Sequence, residues 1–247
     1  MNILAFDTCF AACSAAAAKS FDRGASATER VCGLFEPMEK GHAERLVPMI
    51  GEVMLEAGLA FTDLERIAVT NGPGSFTGTR ISVAAARALA LSFSVDVVAV
   101  SSLAVMAEQA ARYLASDPSA AHGPGIGEAT LLIAVDARRG EVYAQQFRTS
   151  VADPITAPLL LSVQDAAALA ESAPIVVAGS GAEAVAQAAN ALGHRAAAHL
   201  PSLLPDARDL CHVAATMQAG SSAIKPLYLR PADAKPQTGK TIERVTT

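Results

Sequence analysis

Tryptophan is absent from this 247-residue chain, and aromatic residues make up only 4% of it. A core without rings must be built mainly from Ala, Val, Leu and Ile, and abundant alanine favours helices and their close packing. Basic residues are also scarce: 19 Lys and Arg against 24 Asp and Glu leave a net charge of −5. Gripping nucleic acid alone needs a concentrated basic surface, so the balance argues against that role, though not against work beside a basic partner. The four cysteines, Cys9, Cys13, Cys32 and Cys211, form neither a CxxC pair nor a zinc knuckle, which leaves buried free thiols as the expectation. The opening MNILAFDT has no basic segment and soon meets an Asp, unlike a secretory signal. The longest apolar run, Val83–Phe93, is broken by Arg87 and Ser92 and is too short to span a membrane. A cytoplasmic chain with no membrane partner is expected.

Several reactive constellations are missing too. The five histidines, His42, His122, His194, His199 and His212, never stand three or four apart, so no helix face presents a metal-binding pair. There is no GxSxG elbow. The Gly-rich run NGPGSFTGTR is not a P-loop, because no Lys follows its final Gly, and Pro73 spoils a GxGxxG match.

What is present has a clear order. Asn2–Thr8, Ala11–Lys19 and Ala27–Glu36 read as three short strands, with a turn at Asp22–Gly24, and suggest an antiparallel meander. A helix over Gly41–Ala57 follows, then a capping box at Thr62–Glu65 and a strand at Arg66–Thr70. Helix Gly78–Ser92, strand Val95–Val100 and a Ser-capped helix Ser101–Ala115 complete a βββαβαβα series, whose helical crossovers imply parallel pairing. DPSAAHGPGIGE, Asp117–Glu128, reads as a linker. Thr130–Asp136 and Glu141–Thr149 then repeat the opening design, and helices are expected near Val163–Glu171, Gly181–Leu192 and Asp206–Ala219 with a strand at Ile175–Ala178. Two degenerate copies of one unit explain this economically. The expected division is a first lobe over 1–115, a linker over 116–129, a smaller second lobe over 130–205, a segment over 206–231 that packs back on the first lobe, and a mobile tail over 232–247.

Three features could carry chemistry or recognition. In the Gly-rich turn, Gly72, Gly74 and Gly78 permit close backbone approach, Pro73 stiffens it, and Ser75 or Thr77 can cap the next helix. Such a turn can cradle an anion at a helix start or can bind nothing, and no base can be assigned to Ser75. Asp7 and Asp136 each end a strand, where a carboxylate can hold a metal–phosphate complex or merely cap a turn. On a helical wheel, Ala43, Leu46, Val47, Met49, Ile50, Val53, Met54 and Ala57 spread over an arc of about 160°, wider than the roughly 100° needed to cover one sheet. Helix Gly78–Ser92 is apolar or small nearly all round apart from Arg80 and Arg87. The surplus suggests either a partner surface or burial under the second half of the chain.

The stretches ILAFDT…ACSAA, GHAERLVPMI, NGPGSFTGTRISVA, VSSLAVMAEQA, DARRGEVYAQ and PLYLR closely resemble the TsaB (YeaZ) family. The resemblance implies an α/β fold of two RNase H-like lobes of the actin/Hsp70 ATPase superfamily. It implies a non-catalytic scaffold and activator of the paralogous TsaD, which transfers threonylcarbamoyl to an adenosine beside tRNA anticodons. TsaD-type chains hold a metal through HxxxH; here SSLAVMAEQA stands in that place, so neither catalytic nor metal residues are expected. The first-lobe helices are expected to bundle with those of TsaD, or with a second copy when the chain is alone. His42, Leu46, Met49, Ile50 and Val53 are implied from the first helix, and Ile81, Ala84, Ala85 and Ala88 from the second. A TsaE-like ATPase joins through the complex, tRNA is met only through it, and ATP and a metal ion serve the partner subunits. A free-standing ATPase or small-molecule kinase and, less readily, a metallopeptidase are the alternatives.

Overall fold

The computed structural model describes residues 1–21, 31–116, 130–148, 153–171, 173–218 and 224–230. The expected turn at Asp22–Gly24, the linker at Asp117–Glu128 and the tail at 232–247 lie outside these. The first sheet contains β1 (Ile3–Asp7), β2 (Ala12–Ala18), β3 (Val31–Pro37), β4 (Arg66–Thr70) and β5 (Asp96–Val100), in the order β3-β2-β1-β4-β5. β1, β2 and β3 form the antiparallel meander, while β4 and β5 join in parallel beside β1. α1 (His42–Glu56) and α2 (Phe76–Phe93) make the crossovers, and α3 (Ser102–Ser116) leaves the sheet.

The second sheet contains β6 (Thr130–Asp136), β7 (Glu141–Arg148), β8 (Leu159–Ser162), β9 (Ile175–Ala178) and β10 (Ala196–His199), in the order β10-β9-β6-β7-β8. Read from the other edge it repeats the first sheet strand for strand. α4 (Val163–Ala168) and α5 (Ala182–Ala191) are its crossovers, and α6 (Ala207–Ala215) leaves it as α3 leaves the first. Two mixed sheets flanked by helices, each a meander extended by parallel strands, are the two RNase H-like lobes of the actin/Hsp70 type. β9, equally short, shows in the sequence through its β-branched Ile and Val, whereas β8 and β10 have none, and the alanines of β10 favour helix over strand.

Side-chain alternation sorts the core into layers. Leu4 and Phe6 of β1 point toward α1 and α2, whereas Ile3 and Ala5 point toward α6. In β6, Leu132 and Ala134 face α4 and α5, whereas Leu131, Ile133 and Val135 face α3. The order is therefore α1 and α2, first sheet, α6 and α3, second sheet, α4 and α5. The α3 and α6 helices are exchanged: Leu103, Met106 and Leu114 of α3 pack on the second sheet, and Leu210, Cys211 and Ala214 of α6 pack on the first. β2 is fully buried and almost entirely alanine, because α1 covers one of its faces and α6 the other at close range.

Polar contacts fix the exchange. Buried Arg66 of β4 donates from Nη1 to the Ala214 and Met217 carbonyls, 2.6 and 2.8 Å away, and so caps the end of α6 with a cation. Ser14 Oγ of β2 accepts from the Ala207 N–H at its start. The expected capping box at Thr62–Glu65 is replaced by a 3-10 turn at Phe61–Asp63, where the Asp63 carboxylate accepts from the Ala60 N–H. Glu65 is engaged elsewhere, accepting from the Asn2 N–H at 2.7 Å. Cys9, Cys13 and Cys211 are buried free thiols, and Cys32 is half-buried.

Candidate functional site

The Gly-rich turn begins where β4 ends. Ser75, not Thr77, caps α2: its Oγ accepts from the Gly78 N–H at 3.0 Å, while Thr77 is exposed. The glycines are there for contact. A Cβ on Gly78 would lie 1.9 Å from the Thr8 carbonyl oxygen, and one on Gly74 would lie 2.4 Å from that of Cys9. The Ser75 N–H donates to the Cys9 carbonyl at 2.7 Å, and Thr8 Oγ1 donates to the Gly78 carbonyl at 2.7 Å. The turn is thus pressed onto the β1–β2 connection.

Asp7 lies beneath this seal with no exposed surface. Its Oδ1 accepts from Thr70 Oγ1 and from the Cys9 N–H, while Oδ2 has no hydrogen-bond partner. Burial pushes its carboxyl up to about 6, against the lowering effect of the Thr70 and Cys9 contacts. Burial likewise raises the Cys9 thiol well above its ordinary value. A metal–phosphate complex, as the fold superfamily implies, does not fit at this carboxylate, which has no exposed surface and lies under a turn in backbone contact with Thr8 and Cys9. Asp136, the equivalent residue of the second lobe, is exposed, and its Oδ1 accepts from the Arg138 N–H at 2.8 Å. Each strand-end Asp therefore caps its own turn through the N–H two residues on.

The second lobe has its own version of the turn, which sequence reading passed over. Gly179-Ser180-Gly181 links β9 to α5 as the Gly-rich turn links β4 to α2. A Cβ on Gly179 would lie 2.5 Å from the Ala134 carbonyl oxygen, and Ser180 Oγ accepts from the Asp136 N–H. The internal repeat was the signal that could have located it. Among the described residues no group of three or more His, Cys, Asp or Glu is placed to hold a metal ion, and no helix is long and apolar enough to cross a membrane.

The two apolar helices lie on the face of the first sheet turned away from α6, so the second lobe does not cover them. Leu46, Met49, Ile50 and Val53 are nevertheless spent on their own sheet, each at most 3% exposed, and as partner-facing residues they require correction. A wheel gives the width of an apolar arc but not which part meets the sheet. His42 is half-buried and its Nε2 lies 2.9 Å from the Phe10 carbonyl oxygen, tying the start of α1 to the β1–β2 connection. Of the α2 residues, Ala84 and Ala88 are exposed, while Ile81 and Ala85 pack partly into the core. The face that is free comprises Val47, Pro48, Gly51 and Leu55 of α1 with Ala84, Ala88 and Leu91 of α2, and Val47, Leu55 and Leu91 are 67%, 84% and 86% exposed.

A second structure gathers around the Gly-rich turn. The segment 224–230 runs across it: the Leu227 N–H donates to the Asn71 carbonyl at 2.7 Å, and Asn71 Nδ2 donates to the Lys225 carbonyl at 3.0 Å. Arg87 donates to the Ile224 carbonyl, and the Tyr228 ring stacks on Phe76 with centroids 5.3 Å apart. Arg80 lies over the Phe76 ring at 4.9 Å. Arg230 then reaches the second lobe, pairing with Glu141 at 2.5 Å. Gly72 and Pro73 are buried under this strap, and a Cβ on Gly72 would lie 2.8 Å from the Leu227 carbonyl oxygen.

Comparison with known proteins agrees with this architecture. Residues 36–240 match the family model described as TsaD, tRNA N6-adenosine threonylcarbamoyltransferase. The chain is 35% identical over 148 residues to the tRNA threonylcarbamoyladenosine biosynthesis protein TsaB of Escherichia coli K12, covering 60% of this chain and 55% of that protein. It thus spans little more than half the length of that curated relative. It is 32% identical over 199 residues to an uncharacterised protein of Mycobacterium tuberculosis, covering 80% of this chain and 79% of that one. Among solved structures, a Pseudomonas aeruginosa protein described as similar to peptidase YEAZ superposes with a TM-score of 0.74 at 30% identity, over 93% of this chain and 99% of that one. YeaZ from the same organism gives 0.70 at 30% identity, over 87% and 90%. The chain belongs to the TsaB (YeaZ) family, a branch of the group that the TsaD model describes.

Proposed function

We propose that this chain is a non-catalytic scaffold and activator in forming threonylcarbamoyladenosine next to the anticodon of tRNAs, docking onto a TsaD-like catalytic subunit. Family membership supports the pathway. The observation that carries the docking role is the outward face of α1 and α2, where Val47, Leu55 and Leu91 stand exposed among small residues, with Glu44 and Arg87 beside them. Exposed apolar area of this kind, on neighbouring helices with small side chains, suits close packing against two helices of similar character. A second copy of the chain would use the same face when the catalytic subunit is absent. The sealed Asp7 supports a role without its own nucleotide turnover and disfavours the free-standing ATPase. In this reading ATP and a metal ion belong to the catalytic subunit and to a TsaE-like ATPase, tRNA is the substrate of the complex, and the work is cytoplasmic with no membrane partner.

Reconstitution tests it. Omitting this protein from a mixture of TsaD-type and TsaE-type subunits, tRNA and the threonylcarbamoyl donor should abolish modification; undiminished product would refute the role. Leu55→Glu together with Val47→Glu should leave the melting temperature nearly unchanged and abolish co-sedimentation with the catalytic subunit. Val53→Glu, which puts a charge in the core, should instead unfold the chain. Intact association of the Leu55/Val47 variant would move the interface elsewhere.

A further inference from the structure

The strap brings together basic side chains from distant parts of the chain. Arg80 and Arg87 come from α2, Arg138 and Arg139 from the β6–β7 turn, and Lys225 and Arg230 from the strap, while the carboxylates at these elements include Asp136, Glu141 and, at the start of α4 whose Val163 N–H donates to the Gly140 carbonyl, Asp165. Contacts already given tie these elements into one surface, and Arg230 Nη2 also meets the Arg138 carbonyl at 3.5 Å. Arg80, Arg138 and Lys225 are exposed and enter no ion pair among the described residues. In a chain of net charge −5 this is a local reversal of sign. At its centre two rings lie stacked, Phe76 58% and Tyr228 49% exposed. Phe76 is not needed to cap α2, which Ser75 does, and its ring stays more than half exposed where it stacks on Tyr228.

The geometry points to a direct RNA-binding surface, in which the Phe76–Tyr228 pair stacks an unpaired base and Arg80, Arg138 and Lys225 engage the neighbouring phosphates. Flat rings interleaved with unpaired cations are what single-stranded nucleic acid uses, because every base offers a π-face and every linkage an anion. An acidic protein partner would need the cations but not the rings. The inference rests on the reading that this chain serves tRNA modification, and goes beyond it by giving the chain its own contact with the substrate. It is compatible with the acidic balance, because the surface needs only to supplement a partner's grip.

The test is fluorescence anisotropy with a labelled anticodon stem-loop RNA, on the full chain and on its complex with the catalytic subunit, between about 50 and about 200 mM salt. Tyr228→Ala should weaken binding about tenfold, and Tyr228→Phe should retain it. Arg80→Ala should weaken binding and lower the slope of log affinity against log salt by about one. Unchanged melting temperatures would show that the variants are folded. The inference is overturned if the wild-type protein binds the probe in neither form, or if Tyr228→Ala and Arg80→Ala bind within about twofold of wild type. Loss of the catalytic subunit with unchanged affinity for the probe would also overturn it, in favour of a protein contact. Reconstituted modification separates this from the parent reading: a chain that is dispensable there, yet loses RNA affinity in these variants, keeps the surface and loses the pathway.

Discussion

At the scale of single residues, the Gly-rich turn is a matter of contact distance. Glycine at 78 has no positive φ to justify it; what it provides is the missing Cβ that would meet the Thr8 carbonyl oxygen at 1.9 Å. That oxygen is backbone and is held by the β1–β2 connection, so it cannot swing aside. Gly78→Ala should therefore cost about 3 kcal/mol or more, by parting the turn from the connection and exposing Asp7. Gly51 is the contrast. It lies on the outer side of α1 with nothing within 4 Å of a Cβ, and Gly51→Ala should stabilise the chain by about 0.5–1 kcal/mol. Chemical denaturation of the pair checks both signs. A mild effect at 78 would mean that the turn is not sealed against β1. The glycines were conspicuous in the sequence, but their purpose was not, because a run of Gly, Pro and Ser looks alike whether it faces a phosphate or another loop.

At the scale of elements, the α3–α6 contact holds the other carboxyl that burial raises among the described residues. Asp209 of α6 is nearly buried and lies 2.8 Å from Arg112 Nη1 of α3, but its Oδ1 accepts no hydrogen bond there. Burial pushes its carboxyl up to about 7; Arg112 and Arg208 oppose this, and Asp206 and Glu108 add to it. In the unfolded chain the group titrates near the ordinary 3.8. Between those values the folded protein keeps a proton that the unfolded chain has released. The stability that Asp209 contributes is therefore full below about pH 4 and is lost as pH rises through about 7. Asp7, raised to about 6, acts with the same sign. Asp209→Asn should remove much of the decline in unfolding free energy between about pH 5 and about pH 8, on the order of 2 kcal/mol, and leave a smaller slope from Asp7. Equal slopes in variant and wild type would show that Arg112 keeps the carboxylate ionised throughout. Most elements were legible because each carries its own period: α1 three to four, β1 and β6 an apolar run closed by Asp. What could not be read was direction. Leu46 and Val47 are neighbours in sequence and equally apolar, yet one is core and the other two-thirds exposed, because only the packed sheet defines which side is in. The strap was legible only as PLYLR; its partners, Asn71, Phe76 and Glu141, stand far from it along the chain.

At the scale of the whole molecule, the exchange of α3 and α6 decides how the two lobes share stability. The duplication suggests two units that could fold separately. The cores deny this. The inner face of the first sheet is closed by Leu210, Cys211 and Ala214, which come after the second sheet, and that of the second by Leu103, Met106 and Leu114, which come before it. Removing either lobe would strip the other of a helix and open a buried face. Arg66 would also lose the Ala214 and Met217 carbonyls that accept from its Nη1. The two lobes should thus unfold as one cooperative unit. Calorimetry should show a single transition with equal calorimetric and van 't Hoff enthalpies. Leu210→Ala, which leaves a cavity against the first sheet, should cost about 2–5 kcal/mol and lower the midpoint reported by probes in the second lobe as much as in the first. Leu103→Ala should do the same from the other side. Two resolved transitions, with Leu210→Ala shifting only one, would mean that the exchanged helices dock after each lobe has already folded. A single shared shift has a consequence for the proposed role. The outward face of α1 and α2 and the strap across the Gly-rich turn would then be held in register by one cooperative structure, so that a partner bound at the first is presented with the second at a fixed distance and angle.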